Sequence, residues 1–247
     1  MRAHFVAPLL ALSFLTVAPL RAEAIPPSAF PRSLAYFPAV GLLIGAFVAV
    51  ADALGALVFP VSVVAALDLA VLAFCTGGLH LDGLADTIDG LLVRGDRERR
   101  LAIMHAGTIG AFAATGLSIA LLTEYGALVS LASRDRALAL VVGTVLARWA
   151  MVLALWRFPY ARVAGAGAAF KRDLGWREVV VAATGTALVV LTAGARAAAA
   201  GAVSVAATIV LGRSAESRLG GLTGDVYGAC GELTFLGTLV IWSIAPR

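Results

Sequence analysis

Charge is scarce in this chain: 14% of its 247 residues are Asp, Glu, Lys or Arg, while 61% are hydrophobic and the mean hydropathy is +0.95. No water-soluble domain of this length has that balance, so a soluble enzyme is excluded and the solvent is a bilayer. Cysteine is almost absent. Cys75 and Cys230 stand far apart with neither CxxC nor Cys/His spacing, which excludes a thiolate metal or redox centre and leaves both as small packing residues. No internal repeat is evident, and the apolar runs leave no stretch for a separate soluble domain. Residues 1–247 therefore read as a single integral membrane domain.

What is present is a series of apolar runs: Phe5 to Leu20, Leu34 to Val50, Leu57 to Gly78, Ile109 to Ala132, Ala137 to Trp156, Val179 to Ala193, Ala197 to Leu211 and Leu233 to Ile244. A helix needs roughly 20 apolar residues to cross the hydrocarbon core, so the expected fold is an all-α polytopic membrane helix bundle with about seven to eight transmembrane helices. The first run has some marks of a secretory leader, with Arg2 before it and Ala22-Glu23-Ala24 after it. Pro8 and Pro19 interrupt it, and Arg21 and Glu23 stand where a signal peptidase prefers small neutral residues, so it reads as the first span. Gly41, Gly45 and the Ala/Gly runs near Gly185 read as close helix packing.

Thirteen of the nineteen basic residues fall on one set of connections: Arg21 and Arg32, Arg94 to Arg100, Arg157 to Arg177, and Arg213 with Arg218. The positive-inside rule makes that face cytoplasmic. The sequence pI of about 9.6 thus marks a membrane face and anionic substrates, not nucleic acid. Asp82, Asp86, Asp89, His105, Tyr160, Arg162, Asp225 and Glu232 lie at the ends of apolar runs on the same face, as in an enzyme fed from the cytoplasm.

The segment His80 to Gly90 carries Asp82, Asp86 and Asp89 at i, i+4 and i+7. On a helix they lie within roughly 60° of one another. No Lys or Arg balances them until Arg94, so they repel unless a cation binds, and hard oxygen donors suit Mg²⁺, Mn²⁺ or Ca²⁺. A second stretch, Gly220 to Ala229, contains Thr223, Gly224 and Asp225; it can cradle phosphate and add a fourth carboxylate, or it is a turn between helices. His80 and His105 are candidate general bases. Arg94, Arg97, Arg99 and Arg100 are candidates for substrate phosphate or for lipid headgroups.

The string Gly77-Gly78-Leu79-His80-Leu81-Asp82-Gly83-Leu84-Ala85-Asp86-Thr87-Ile88-Asp89-Gly90-Leu91 resembles the signature of the cobalamin synthase family, the adenosylcobinamide-GDP ribazoletransferases. Phe14 to Leu20, Arg97 to Met104 leading into Ile109-Gly110-Ala111-Phe112, Arg148-Trp149 with Pro159 to Arg162, and Gly220 to Ala229 followed by Glu232-Leu233-Thr234 resemble the same family in order. The resemblance implies a Mg²⁺-dependent phosphotransferase joining adenosylcobinamide-GDP to α-ribazole or its 5′-phosphate with release of GMP. Asp82, Asp86, Asp89 and Asp225 would hold the metal, with His80 and Asp225 as candidates for the base. Arg97, Arg100, Arg162, Thr223, Gly224 and His105 would meet phosphate or substrate.

The same resemblance implies the bacterial inner membrane as location, with the active site facing the cytoplasm. Membrane lipid, a homo-oligomer and other corrinoid-assembly enzymes are candidate partners. Two departures stand out: His105-Ala106-Gly107-Thr108 replaces a charged stretch common in the family, and Phe235 occupies the place of a second acid after Glu-Leu-Thr. A CDP-alcohol phosphotransferase would use a different aspartate pattern, Asp-x-x-Asp-Gly-x-x-Ala-Arg followed by Gly-x-x-x-Asp-x-x-x-Asp. A cation transporter could use the acidic face as an ion site, but would need paired, interrupted helices.

Overall fold

A computed structural model describes residues 3–19, 25–162 and 165–244. The readings placed on Arg2, Leu20, Arg21, the Ala22-Glu23-Ala24 string and Arg247 lie outside them. Among the described residues there are twelve α-helices and no strand. They are α1 (Ala3–Leu15), α2 (Ala29–Ser33), α3 (Phe37–Gly55), α4 (Val61–Thr76), α5 (Leu79–Leu92), α6 (Arg97–Ile103), α7 (Ala111–Ser130), α8 (Ser133–Arg157), α9 (Ala166–Lys171), α10 (Trp176–Ala193), α11 (Ala195–Leu219) and α12 (Gly224–Ser243). A 3₁₀ turn, Leu34–Tyr36, joins α2 to α3.

Six helical stretches are long and apolar enough to cross a membrane: Ala29–Gly55, α7, α8, α10, α11 and α12. Exposed Phe47, Leu122, Leu191 and Val210 on these stretches give the bundle an apolar outer surface, as expected of a multi-pass membrane protein. The expectation of seven to eight spans changes in two places. Helix α1 has 13 residues, too few for a core of about 30 Å at 1.5 Å per residue. Helices α4 and α5 qualify only as one broken span, bent by 90°. Among the described residues the count is therefore six, or seven with the bent pair.

The bend has a local cause. Gly77 and Gly78 both adopt left-handed backbone, with φ of 61° and 71°, a conformation that costs residues with a Cβ far more than glycine. The Gly78 N–H bonds back to the Ala73 carbonyl at 2.8 Å, closing α4 in a Schellman arrangement. The chain then leaves at a right angle as α5, carrying the acidic segment.

Helix α8 is the axis of the bundle and packs against α3, α10, α11 and α12. Gly41 and Gly45 bring α3 onto it, since a Cβ on Gly41 would lie 2.5 Å from the Thr144 carbonyl oxygen. Short connections at residues 56–60, 131–132 and 194 join helix ends at one end of the bundle. The longer connections, around residues 77–110, 158–162, 165–175 and 220–223, gather at the other. The site lies at that second end.

Candidate active site

Helix α5 rests on α12 where two glycines meet. A Cβ on Gly83 would lie 2.7 Å from the Asp225 carbonyl oxygen and 3.2 Å from the Gly228 Cα, so the two backbones touch with no side chain between them. This contact sets Asp82 of α5 beside Asp225 of α12, and both line one cavity of about 240 Å³. Asp86, one turn further along α5, is half-buried and feels the negative charge of Asp225 most strongly, then that of Asp82, with Arg162 opposing them. Gly83→Val is expected to part the helices and lower turnover about 10²-fold, the scale of an ångström-level misplacement, with helix content by circular dichroism unchanged. A valine variant keeping more than half the wild-type rate would refute this role for the crossing.

The cavity is closed by two loops joined like a miniature sheet. The Leu222 N–H donates to the Pro159 carbonyl and the Ala161 N–H to the Leu222 carbonyl, both at 2.8 Å. That ladder sets Arg162 against Asp225, with Nη2 to Oδ2 at 3.3 Å. Thr223 is fully buried; its hydroxyl caps α12 by accepting from the Val226 N–H and donates to Asp225 Oδ2 at 3.0 Å. Gly224 is exposed in the first turn of α12 and lines the cavity. A helix N-terminus carries partial positive charge and free amides, a favourable setting for phosphate. The Gly220 to Ala229 stretch is therefore a tight turn plus the first turns of a helix, which begins nine residues before the apolar run Leu233 to Ile244. Burial raises the Tyr160 phenol above its ordinary range, so Tyr160, which lines the cavity, stands there as a neutral group.

Other expected site residues have different work. Asp89 is 7% exposed; its oxygens accept from the Gly110 N–H at 2.6 Å and the Ala113 N–H at 3.0 Å, capping α7. Both oxygens are engaged by amides, so Asp89 holds α7 to α5 and does not open onto the cavity. Arg100 donates to the Gly90 and Leu91 carbonyls at 3.0 and 2.7 Å, and Arg218 adds a bond to Leu91 at 3.0 Å. Together they satisfy the orphan carbonyls at the end of α5. Arg97 donates to the Leu219 and Ala161 carbonyls, each at 2.7 Å, stapling α11 to the loop that carries Arg162.

His80 faces the other way from Asp82, because two residues along a helix turn the side chain by about 200°. It is 4% exposed, its Nε2 lies 3.3 Å from Met151 Sδ, and it lines a small internal cavity with Glu124, Arg148 and Glu232. His105 is exposed in the turn that follows α6. Phe235 is 2% exposed and packs against Gly143, in the core and away from the cavity beside Asp82. Sequence reasoning missed Met151 and Phe170 as cavity walls, and Tyr227 stood inside the Gly220 to Ala229 stretch with no role of its own.

Among the described residues no three carboxylates or imidazoles converge into a ready-made metal cage. Mg²⁺ does not require one, because it is typically bound through one or two carboxylates plus water and substrate phosphates. Asp82 and Asp225 on one cavity, with Asp86 in their combined field, fit that type of site.

Apolar through-spans around a polar cleft at one end define a multi-pass membrane protein with a charged cavity. The sequence model of the cobalamin-5-phosphate synthase (CobS) family matches residues 7–243, and the chain belongs to that family. Curated relatives named adenosylcobinamide-GDP ribazoletransferase include that of Geotalea daltonii, 37% identical over 94% of this chain and 93% of the relative. That of Pseudomonas fluorescens is 37% identical over 94% and 96%, and that of Roseiflexus sp. is 37% identical over 90% and 84%. No solved structure matches.

Proposed function

We propose that the protein transfers the adenosylcobinamide phosphoryl group from adenosylcobinamide-GDP to a ribose hydroxyl of α-ribazole or α-ribazole 5′-phosphate, releasing GMP. The ribose oxygen bonds to the phosphorus that carries the cobinamide, and the bond from that phosphorus to the oxygen of GMP breaks. The hydroxyl proton leaves to a carboxylate or to water. The observation that carries this reading is the α5/α12 crossing, which sets Asp82 and Asp225 on one cavity with Arg162. Family membership supplies the substrates.

Asp82, Asp86 and Asp225 would hold Mg²⁺, which when bound supplies positive charge on the pyrophosphate oxygens. Arg162 holds Asp225 in place and presents its remaining N–H groups to phosphate. Asp225, which accepts from the Thr223 hydroxyl, would take the ribose proton. The amides of the first turn of α12 face the same anionic group. Displacing GMP asks the protein mainly for positioning and charge compensation, and these groups provide both. The basic residues on the connections at this end, Arg94, Arg97, Arg99, Arg100, Arg162, Lys171 and Arg172 among them, support a cytoplasmic orientation in a bacterial inner membrane.

The test is purified protein in liposomes with both substrates. GMP is expected to appear in step with the joined corrinoid, to stop on chelation and to return with added Mg²⁺. An inactive wild type with both substrates and Mg²⁺ present, or turnover unaffected by chelation, would overturn the reading.

A further inference from the structure

Two motifs of the sequence take no part in the chemistry above: Arg148-Trp149 and Glu232-Leu233-Thr234. Glu232, expected with the acids of the cytoplasmic face, lies inside the bundle. It follows Asp225 by seven residues, so the two share one face of α12, roughly 10 Å apart along the axis. On α8, Arg148 likewise stands one turn from Met151. Both side chains are almost enclosed, at 8% and 3% exposure, and with Glu124 of α7 they line an internal cavity of about 20 Å³. A pair of touching side chains links it to the active cavity: His80 lines the small one, its Nε2 lies 3.3 Å from Met151 Sδ, and Met151 lines the large one. Gly231 admits the imidazole between α8 and α12, since a Cβ there would lie 3.1 Å from His80 Cδ2 and 3.4 Å from the Ala147 carbonyl oxygen.

At the far end of the bundle Arg136 bonds Asp52 directly. Arg148, by contrast, forms no ion pair with Glu124 or Glu232 among the described residues. A buried charge without a partner is costly, and the three groups meet only across the cavity. Its 20 Å³ is room for one water, which needs roughly 10–15 Å³ and two to four polar partners. A metal cation there would face the guanidinium, and an anion would face two carboxylates. Water suits both signs, accepting from the arginine and donating to the carboxylates.

We propose that one buried water in this cavity bridges Arg148 to Glu232, and that the bridged group positions the active site by holding α8 and α12 to the His80 side of α5. Arg148 and Glu232 are positioning residues: they touch no substrate and act through His80 and Met151 on the helix that carries Asp82. The effect on turnover rests on the function proposed above, whereas the water site stands on geometry alone.

A cryo-electron-microscopy map of the substrate-free protein in lipid nanodiscs, at a resolution that shows waters, is expected to hold one water-sized peak within hydrogen-bond distance of Arg148 and Glu232. Arg148→Met is expected to lower kcat by about 10–100-fold, the scale of losing a partner that orients a metal-binding group, with KM for either substrate nearly unchanged. It should also lower the unfolding temperature, because two buried carboxylates lose their cation. The triple variant Arg148→Met, Glu124→Leu, Glu232→Leu separates the two effects. With no charge left to desolvate it should regain the unfolding temperature, but not kcat, since no water then ties the helices together.

An empty cavity, a peak that strengthens when rubidium replaces sodium and so marks a cation, or a kcat for Arg148→Met within about twofold of wild type would each overturn the proposal. So would a triple variant that regains both stability and kcat, and this measurement decides where Arg148→Met alone fails to fold. A wild type that holds the water but releases no GMP in the full reaction would overturn the proposed function and leave the water site standing.

Discussion

Asp225→Asn is expected to lower the rate of GMP release by about 10²–10³-fold, the range seen when one preorganised charge-stabilising group is lost from an active site. Asparagine keeps the volume and can still accept from Thr223, so α12 should keep its cap and the fold should survive. The negative charge disappears. With it go the partner of Arg162 at 3.3 Å, a donor oxygen for a hard cation and the acceptor placed for the ribose proton. The loss should appear mainly in kcat, because these interactions strengthen as the phosphoryl group moves. Asp89→Asn makes the contrast. Asparagine can accept only one of the two amide bonds from Gly110 and Ala113, so its cost should appear as lower thermal stability, with less effect on the rate of the protein that remains folded. Turnover by Asp225→Asn within tenfold of wild type would remove Asp225 from the chemistry.

The second large effect is expected at the far end of the bundle. Asp52, Asp68 and Arg136 are at most 2% exposed, with Arg136 Nε bonded to Asp52 Oδ1 and its Nη1 donating to the Leu131 carbonyl at 3.2 Å. Arg136→Met removes the cation from this group and leaves two buried carboxylates facing each other, each already with one oxygen lacking a partner among the described residues. Breaking a buried pair in this way costs about 3–5 kcal/mol. Replacing all three by apolar residues of similar volume should recover most of that loss, since the pair must repay its own desolvation. Unfolding in detergent measures both. Arg136→Met within 1 kcal/mol of wild type would show that the group contributes little to stability.

Much of this architecture could be read from composition. The apolar runs located eight of the helices because lipid demands a continuous apolar surface, and α8 was found within a few residues. The acidic spacing correctly placed Asp82, Asp86 and Asp89 on a helix. What the spacing could not carry was the environment along that face. Over seven residues it passes from the exposed Asp82 through the half-buried Asp86 to Asp89 beneath the first turn of α7, and burial depends on which neighbour crosses where. Helical geometry could have shown that His80 and Asp82 point to opposite sides. Arg97 and Arg100 misled for a different reason: a guanidinium serves a carbonyl at a helix end as readily as a phosphate, and sequence does not say which is nearer. The start of α12 was missed because glycines hid a helix whose cap, Thr223, was in plain sight.

The meeting of Gly83 and Gly228 has a bearing on how the protein tolerates change. Where larger side chains separate two helices, the gap depends on the rotamers that fill it, and it shifts when those residues are exchanged or when lipid, temperature or detergent alters their mobility. Here the gap is filled by peptide alone. The separation of the two acid-bearing helices is therefore set by atomic radii, a yardstick that repacking cannot lengthen or shorten. The surrounding membrane-facing surface can drift in sequence or adapt to a different lipid while the reacting groups keep their spacing.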